Sequence, residues 1–181
     1  MIQVIIDNNM WDFFYKNNID ISEVFSREKY SLFVCQHGLY EIEQGKSNTE
    51  FYNFAMSHIN EGIVKVKALF GTLDHNVPDQ HQRRQGFGLG VLGSRLNADL
   101  NAKILEKHSI GGKRKSTMIM NKDETDIELG SLSATYYVLT QDKKNGPLRT
   151  AQELGGKVIF IDEVQGDTAL DKLINIRSLM C

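Results

Sequence analysis

Residues 4–14 read VIIDNNMWDFF. Three β-branched residues, Val4, Ile5 and Ile6, stop at Asp7, two asparagines follow, and Met10, Trp11, Phe13 and Phe14 then fall at helical spacing. β-branched side chains fit a pleated surface better than a helix. With Ile2 before them, the nearly continuous apolar run predicts a strand over residues 3–6 covered on both faces, as in a parallel sheet. Residues 11–16 predict a short helix. The carboxylate between the two has two readings, as a cap for that helix or as a ligand group at the end of a buried strand.

The same alternation continues along the chain. YSLFVC predicts a second strand, and GLYEIEQGK a helix with Leu39 and Ile42 inward and Gly45 as its stop. Residues 49–60 predict a helix on Phe51, Phe54, Ala55 and Ile59, and GIVKVKALFG a strand ending at Gly71. Ser94 can cap a helix over residues 95–108, with Leu96, Leu100, Ile104 and Leu105 as its buried stripe. DIELGSLSAT predicts a helix and YYVLT a strand. PLRTAQELGG predicts a helix with Pro147 in its first turn and Gly155 at its C-terminal cap, and KVIFID a last strand. Such alternation predicts a three-layer α/β/α domain around a central, mainly parallel sheet.

At 181 residues, 41% hydrophobic and 24% charged, the chain has the composition of a single globular domain. It has no apolar run of the roughly 20 residues that span a bilayer, so no membrane association is expected. Asp7 interrupts the first apolar stretch, no basic region precedes it, and a signal peptide is not expected. Two cysteines, Cys35 and Cys181, make neither a disulfide framework nor a metal-ligand pair by spacing, which fits a reducing, cytoplasmic setting. The net charge of −2 hides an asymmetry: residues 81–115 carry eight Lys or Arg against two acids, a local +6 that leaves −8 on the rest. A basic segment on an acidic body suggests a polyanionic partner.

In open α/β sheets, ligands bind beyond the C-terminal ends of the strands. Asp7 ends the first strand, and Asp142 lies two residues past Thr140 at the end of YYVLT. Asp126 begins the helix leading into that strand, and Glu41 lies on the helix after the second strand. Four carboxylates gathered in one crevice repel one another unless a cation sits among them. Mg²⁺ or Mn²⁺ takes oxygen ligands, keeps several waters and supports phosphodiester hydrolysis. Each acid also has a plainer reading: Asp7 and Asp126 as helix caps, Glu41 as a solvated helix residue, Asp142 in an Asx-turn. Asp162, ending KVIFID, meets the strand-end rule equally well.

Taken together, these stretches resemble the PIN-domain family. VIIDNN resembles its first strand, which ends in Asp with an Asn close behind. FVCQHGLYEIEQGK resembles its second strand and Glu-bearing helix, at Glu41. DIELGSLSATYYVLTQDKK resembles the Asp-initiated helix and the strand ending in Thr-x-Asp, at Asp126, Thr140 and Asp142. AQELGGKVIF resembles the closing helix and strand. The resemblance implies four or five parallel strands flanked by helices. It implies a Mg²⁺- or Mn²⁺-dependent endoribonuclease with Asp7, Glu41, Asp126 and Asp142 as metal ligands and catalytic groups, and with Asn9 or Thr140 orienting them. It also implies RNA as substrate and, in many bacterial members, toxin activity, an antitoxin protein as partner and a homodimer. Relatives often carry a further acid after Thr-x-Asp, where Lys143, Lys144 and Asn145 stand here. A fourth acid is then sought at Asp123 or Glu128, and Glu43 competes with Glu41. The departure leaves open a catalytically inactive PIN-like module that binds RNA or protein.

Residues 72–116 fall outside the resemblance and predict an insertion or divergent helical lobe. Gly88, Gly90 and Gly93 match G-x-G-x-x-G without a preceding strand, so a glycine-rich loop is the reading preferred over a nucleotide site. Arg83, Arg84, Lys113, Arg114 and Lys115 are candidate contacts to a nucleic-acid backbone, and Phe87 a candidate for stacking on a base. His75 and His81 flank Asp79 as polar surface or, less favoured, a metal group, and His37 lies near Glu41 with its direction open.

Overall fold

The computed structural model describes residues 1–44, 48–67, 95–108, 123–142 and 145–180. The chain begins with β1 (Ile2–Ile6), α1 (Asn8–Lys16) and the single-turn α2 (Ile21–Val24). β2 (Tyr30–Cys35), α3 (Gln36–Gln44), α4 (Thr49–Asn60) and β3 (Val64–Lys67) follow. α5 (Arg95–Lys107) and α6 (Glu124–Leu132) lead to β4 (Tyr137–Thr140), and α7 (Pro147–Glu153) to β5 (Val158–Phe160). A 3₁₀ turn, Ile161–Glu163, precedes α8 (Ala169–Leu179).

The strands form one sheet in the order β3-β2-β1-β4-β5, and every pairing is parallel. The period of two along each strand divides the core between its faces. Val4 and Ile6 of β1, Leu32 and Val34 of β2 and Leu139 of β4 pack under α1, α2, α4 and α8, through Trp11, Phe14, Ile21, Ala55, Leu173 and Ile176. Ile5, Phe33 and Val138 point the other way, against Leu100 and Ile104 of α5, Leu129 and Leu132 of α6 and Leu148 of α7. The result is a three-layer α/β/α fold.

Chain order fixes where this fold opens. From β1 the chain builds outward through β2 to β3, then returns to the other side of β1 as β4. The reversal falls between β1 and β4, which pair as Val4 with Tyr137, Ile5 with Val138 and Ile6 with Leu139. A crevice at the C-terminal ends of two such strands is the usual ligand position in an open α/β sheet.

One local expectation needs correction. The buried stripe of α5 is Asn97, Leu100 and Ile104, whereas Leu96 is 63% and Leu105 40% exposed. The polar Asn97 can be buried because its Oδ1 accepts from Thr135 Oγ1 and its carbonyl from Ser131 Oγ. Leu100 and Ile104 enter the core, so α5 is part of the layer covering the sheet. Finally, β5 is followed by α8, capped by the reciprocal Thr168–Asp171 box and burying Leu173 and Ile176.

Candidate functional site

Asp7 is the first residue past β1 and caps α1, its Oδ1 accepting from Asn8 N at 2.7 Å. The cap and strand-end readings therefore describe the same carboxylate. Asp7 is 6% exposed. Its Oδ2 accepts from Asn9 Nδ2 at 2.9 Å and from Thr140 Oγ1 at 2.7 Å. Asn9 Oδ1 accepts from Gln141 N at 2.7 Å, and Thr140 Oγ1 from Asp142 N at 3.0 Å. Asn9 and Thr140 thus tie the ends of β1 and β4 into one polar knot, with Asp7 inside it and Asp142 on its rim.

Burial is the main force on the Asp7 carboxyl, which is pushed up to about 6. Thr140 and the Asn8 N–H oppose the rise, and the negative charges of Glu41 and Asp142 add to it. All three carboxylates are therefore within electrostatic reach of one another. Glu41 reaches the crevice from α3. Its Oε2 accepts from Asn8 Nδ2 at 2.5 Å, and its Oε1 from Thr125 Oγ1 of α6 at 3.0 Å. Gly38 makes that approach possible: a Cβ there would stand 3.1 Å from Val34 Cγ2 and 3.2 Å from Asn8 Oδ1.

Asp126 stands differently from its expected place as a helix start. α6 begins at Glu124, with Asp123 before it in a left-handed conformation (φ 61°) and making no side-chain cap. Glu124, Thr125 and Glu128 share the arc of α6 that faces α3, through Glu41 and His37. Asp126 is two residues on from Glu124, about 200° around the axis. Glu124, Thr125 and Glu128 are the α6 residues with contacts across to α3, while Asp126 is half-buried beside Thr125. Glu43, likewise about 200° around α3 from Glu41, is half-buried. Lys143 and Lys144, which follow Asp142, lie outside the described residues, as do Arg83, Arg84, Phe87, Lys113, Arg114, Lys115, the three loop glycines, His75, Asp79 and His81.

Asn8, Thr125, His37, Glu124 and Glu128 adjoin these acids, and of the five the sequence pattern points only to Glu128 and His37. The signal was present as a polar stripe, Glu124, Thr125 and Glu128, on a helix otherwise carrying Ile127, Leu129 and Leu132. Behind the crevice, Cys35 is buried. The Gly38 N–H donates to its Sγ, and burial together with Glu128, Asp7 and Glu41 holds the thiol well above its ordinary range.

Among the described residues, no three His, Cys, Asp or Glu side chains converge as a ready-made metal centre. The carboxylates are instead joined through amides and hydroxyls. A groove of about 530 Å³ between β5, the 3₁₀ turn and α8 shares no residue with this crevice. Polar groups in its wall are already engaged, Gln152 Nε2 with Val158 O and Asn175 Nδ2 with Gln165 O. Among the described residues, no helix is long and apolar enough to cross a membrane. No family model matches the chain, and no curated protein or solved structure matches it.

Proposed function

We propose that the chain is a PIN-like, Mg²⁺- or Mn²⁺-dependent endoribonuclease. The observation that supports this reading is the buried Asp7 carboxylate at the β1–β4 switch point, held above the ordinary carboxylate range by burial and, to a smaller extent, by the charges of Glu41 and Asp142. The donor set suits a hard divalent cation, being made of carboxylate oxygens with amide and hydroxyl groups to orient them. A cation there would also offset the buried negative charge. Asp7, Glu41 and Asp142 are the residues that would hold it.

When bound, such an ion supplies an activated water and charge stabilisation for phosphodiester cleavage to a 5′-phosphate and a 3′-hydroxyl. The chain's own part is positional. Asn9 and Thr140 fix the Asp7 carboxylate, and Asn8 with Thr125 fixes both oxygens of Glu41. Arg83, Arg84, Phe87 and Lys113 to Lys115 are the proposed RNA contacts. The same reading makes the protein cytoplasmic, with a second copy and an antitoxin-like protein as its partners.

The test is cleavage of a defined RNA with Mn²⁺ or Mg²⁺ and with EDTA, using Asp7→Asn and Asp142→Asn proteins of unchanged circular dichroism. Cleavage that needs the ion and is lost in both variants is expected. Full activity in Asp142→Asn overturns the assignment of the site. RNA retention in EDTA without cleavage in Mn²⁺ establishes the alternative, a PIN-like binding module.

A further inference from the structure

Asn8 opens α1 and touches two of the three proposed ligands. Its backbone N–H donates to Asp7 Oδ1 at 2.7 Å, and its side-chain Nδ2 donates to Glu41 Oε2 at 2.5 Å. The other end of the same amide is left over. Asn8 Oδ1 is buried and meets no donor among the described residues. It lies against the start of α3, 3.2 Å from where a Cβ on Gly38 would stand. A buried carbonyl oxygen without a donor is costly, and such atoms are rare in folded chains. An amide oxygen is also a ligand that hard divalent cations take alongside carboxylates.

The two ends of a carboxamide have nearly the same shape, and a half turn about χ2 exchanges them. In the metal-free protein the nitrogen must face Glu41, since the oxygen in its place would set two acceptors 2.5 Å apart. A divalent ion held by Glu41 reverses that preference, because it attracts an oxygen and repels an N–H. At the Gly38 end the oxygen gives up no hydrogen bond by turning. The residues after Asp142, which are Lys143, Lys144 and Asn145, supply no fourth acid. The amide oxygen of Asn8 is therefore an uncommitted ligand atom on a residue already bonded to Asp7 and Glu41.

We propose that Asn8 is a further ligand of the crevice cation, its side-chain amide reversing when the ion binds so that Oδ1 stands in for the absent fourth carboxylate. The proposal rests on the preceding reading that Asp7, Glu41 and Asp142 hold the ion. It gives Asn8 two states, a clasp on Glu41 without the ion and a neutral oxygen ligand beside it with the ion.

The test has two arms on the full chain. In the first, isotopic labelling of asparagine resolves the Asn8 side-chain amide by NMR, with diamagnetic Mg²⁺ as the ion. In EDTA, nuclear Overhauser contacts from the amide protons to the Glu41 side chain are expected. At saturating Mg²⁺ they should give way to contacts with the Gly38 α-protons. An amide that keeps its Glu41 contacts with Mg²⁺ bound overturns the proposal and leaves the Asp7-centred reading standing. Absence of any Mg²⁺ or Mn²⁺ binding to the parent by calorimetry removes that reading, and the proposal with it. The second arm separates a ligand from a residue that acts only through Glu41. Asn8→Ala should lower Mn²⁺ affinity about tenfold in the parent and by a similar factor in a Glu41→Ala background. An effect that vanishes in that background overturns the ligand assignment. Where a variant fails to fold, the reversal measured in the parent decides.

Discussion

Asp7 combines three roles that usually fall to separate residues: it ends β1, caps α1 and forms the floor of the crevice. Its carboxyl titrates at about 6 in the folded protein against 3.8 for an ordinary aspartate, and the sign of the consequence follows. Between those values the folded chain binds more protons than the unfolded one. The stabilisation from protonated Asp7 is therefore complete below pH 3.8 and is lost as pH rises through about 6. The shift corresponds to at most about 3 kcal/mol in metal-free protein. Urea unfolding in EDTA should show the parent losing more stability than Asp7→Asn between pH 4.5 and 7.5, by about 2 kcal/mol. A parent and variant with parallel pH profiles would remove the buried-charge account of this residue. Mn²⁺ should stabilise the parent at neutral pH and leave Asp7→Asn unchanged.

At the scale of elements, the crevice depends on how closely α3 approaches the end of β1. Gly38 sets that distance, and Gly38→Ala pushes a methyl against Val34, Asn8 and Cys35. A loss of about 1–3 kcal/mol in urea unfolding is expected. Mn²⁺ affinity, measured by calorimetry, should fall with it, because the Asn8–Glu41 bond crosses this contact. The sequence was readable wherever one physical signal dominated. Tyr30–Cys35 and Thr49–Asn60 are bounded as the apolar pattern predicts. Asp7 and Thr140 were legible as strand ends because a β-branched run precedes the first and an aromatic and aliphatic run, YYVL, the second. α6 was misphased because DIELGSLSAT gives equal support to a start at Asp126 and one two residues earlier. Tertiary burial of Glu124 and Glu128 against His37 settles the matter, and no local propensity records it. The α5 stripe failed for a related reason: Asn97 is buried by bonds from Thr135 and Ser131, far along the chain. The Thr168-x-x-Asp171 box before Leu173 and Ile176 was a visible start signal for α8 that the reading passed over.

For the whole molecule, charge is divided between an acidic crevice and a sequence segment of +6. Replacing Arg83 and Arg84 by alanine should weaken RNA binding and flatten its dependence on salt by about two units in the log–log slope, one for each phosphate contact removed. A slope equal to that of the parent would show that these residues do not meet the backbone. The buried Cys35 has a consequence of another kind. The residue is 1% exposed within the core, so a negatively charged aromatic disulfide reagent can reach its sulfur only when the layers part. In a Cys181→Ser chain the thiol becomes an internal clock. Its labelling should be slower than in urea by at least about a thousandfold, and slower again when Mn²⁺ holds the crevice shut. A single absorbance trace of the released aromatic thiolate would then report how often this molecule opens at its centre.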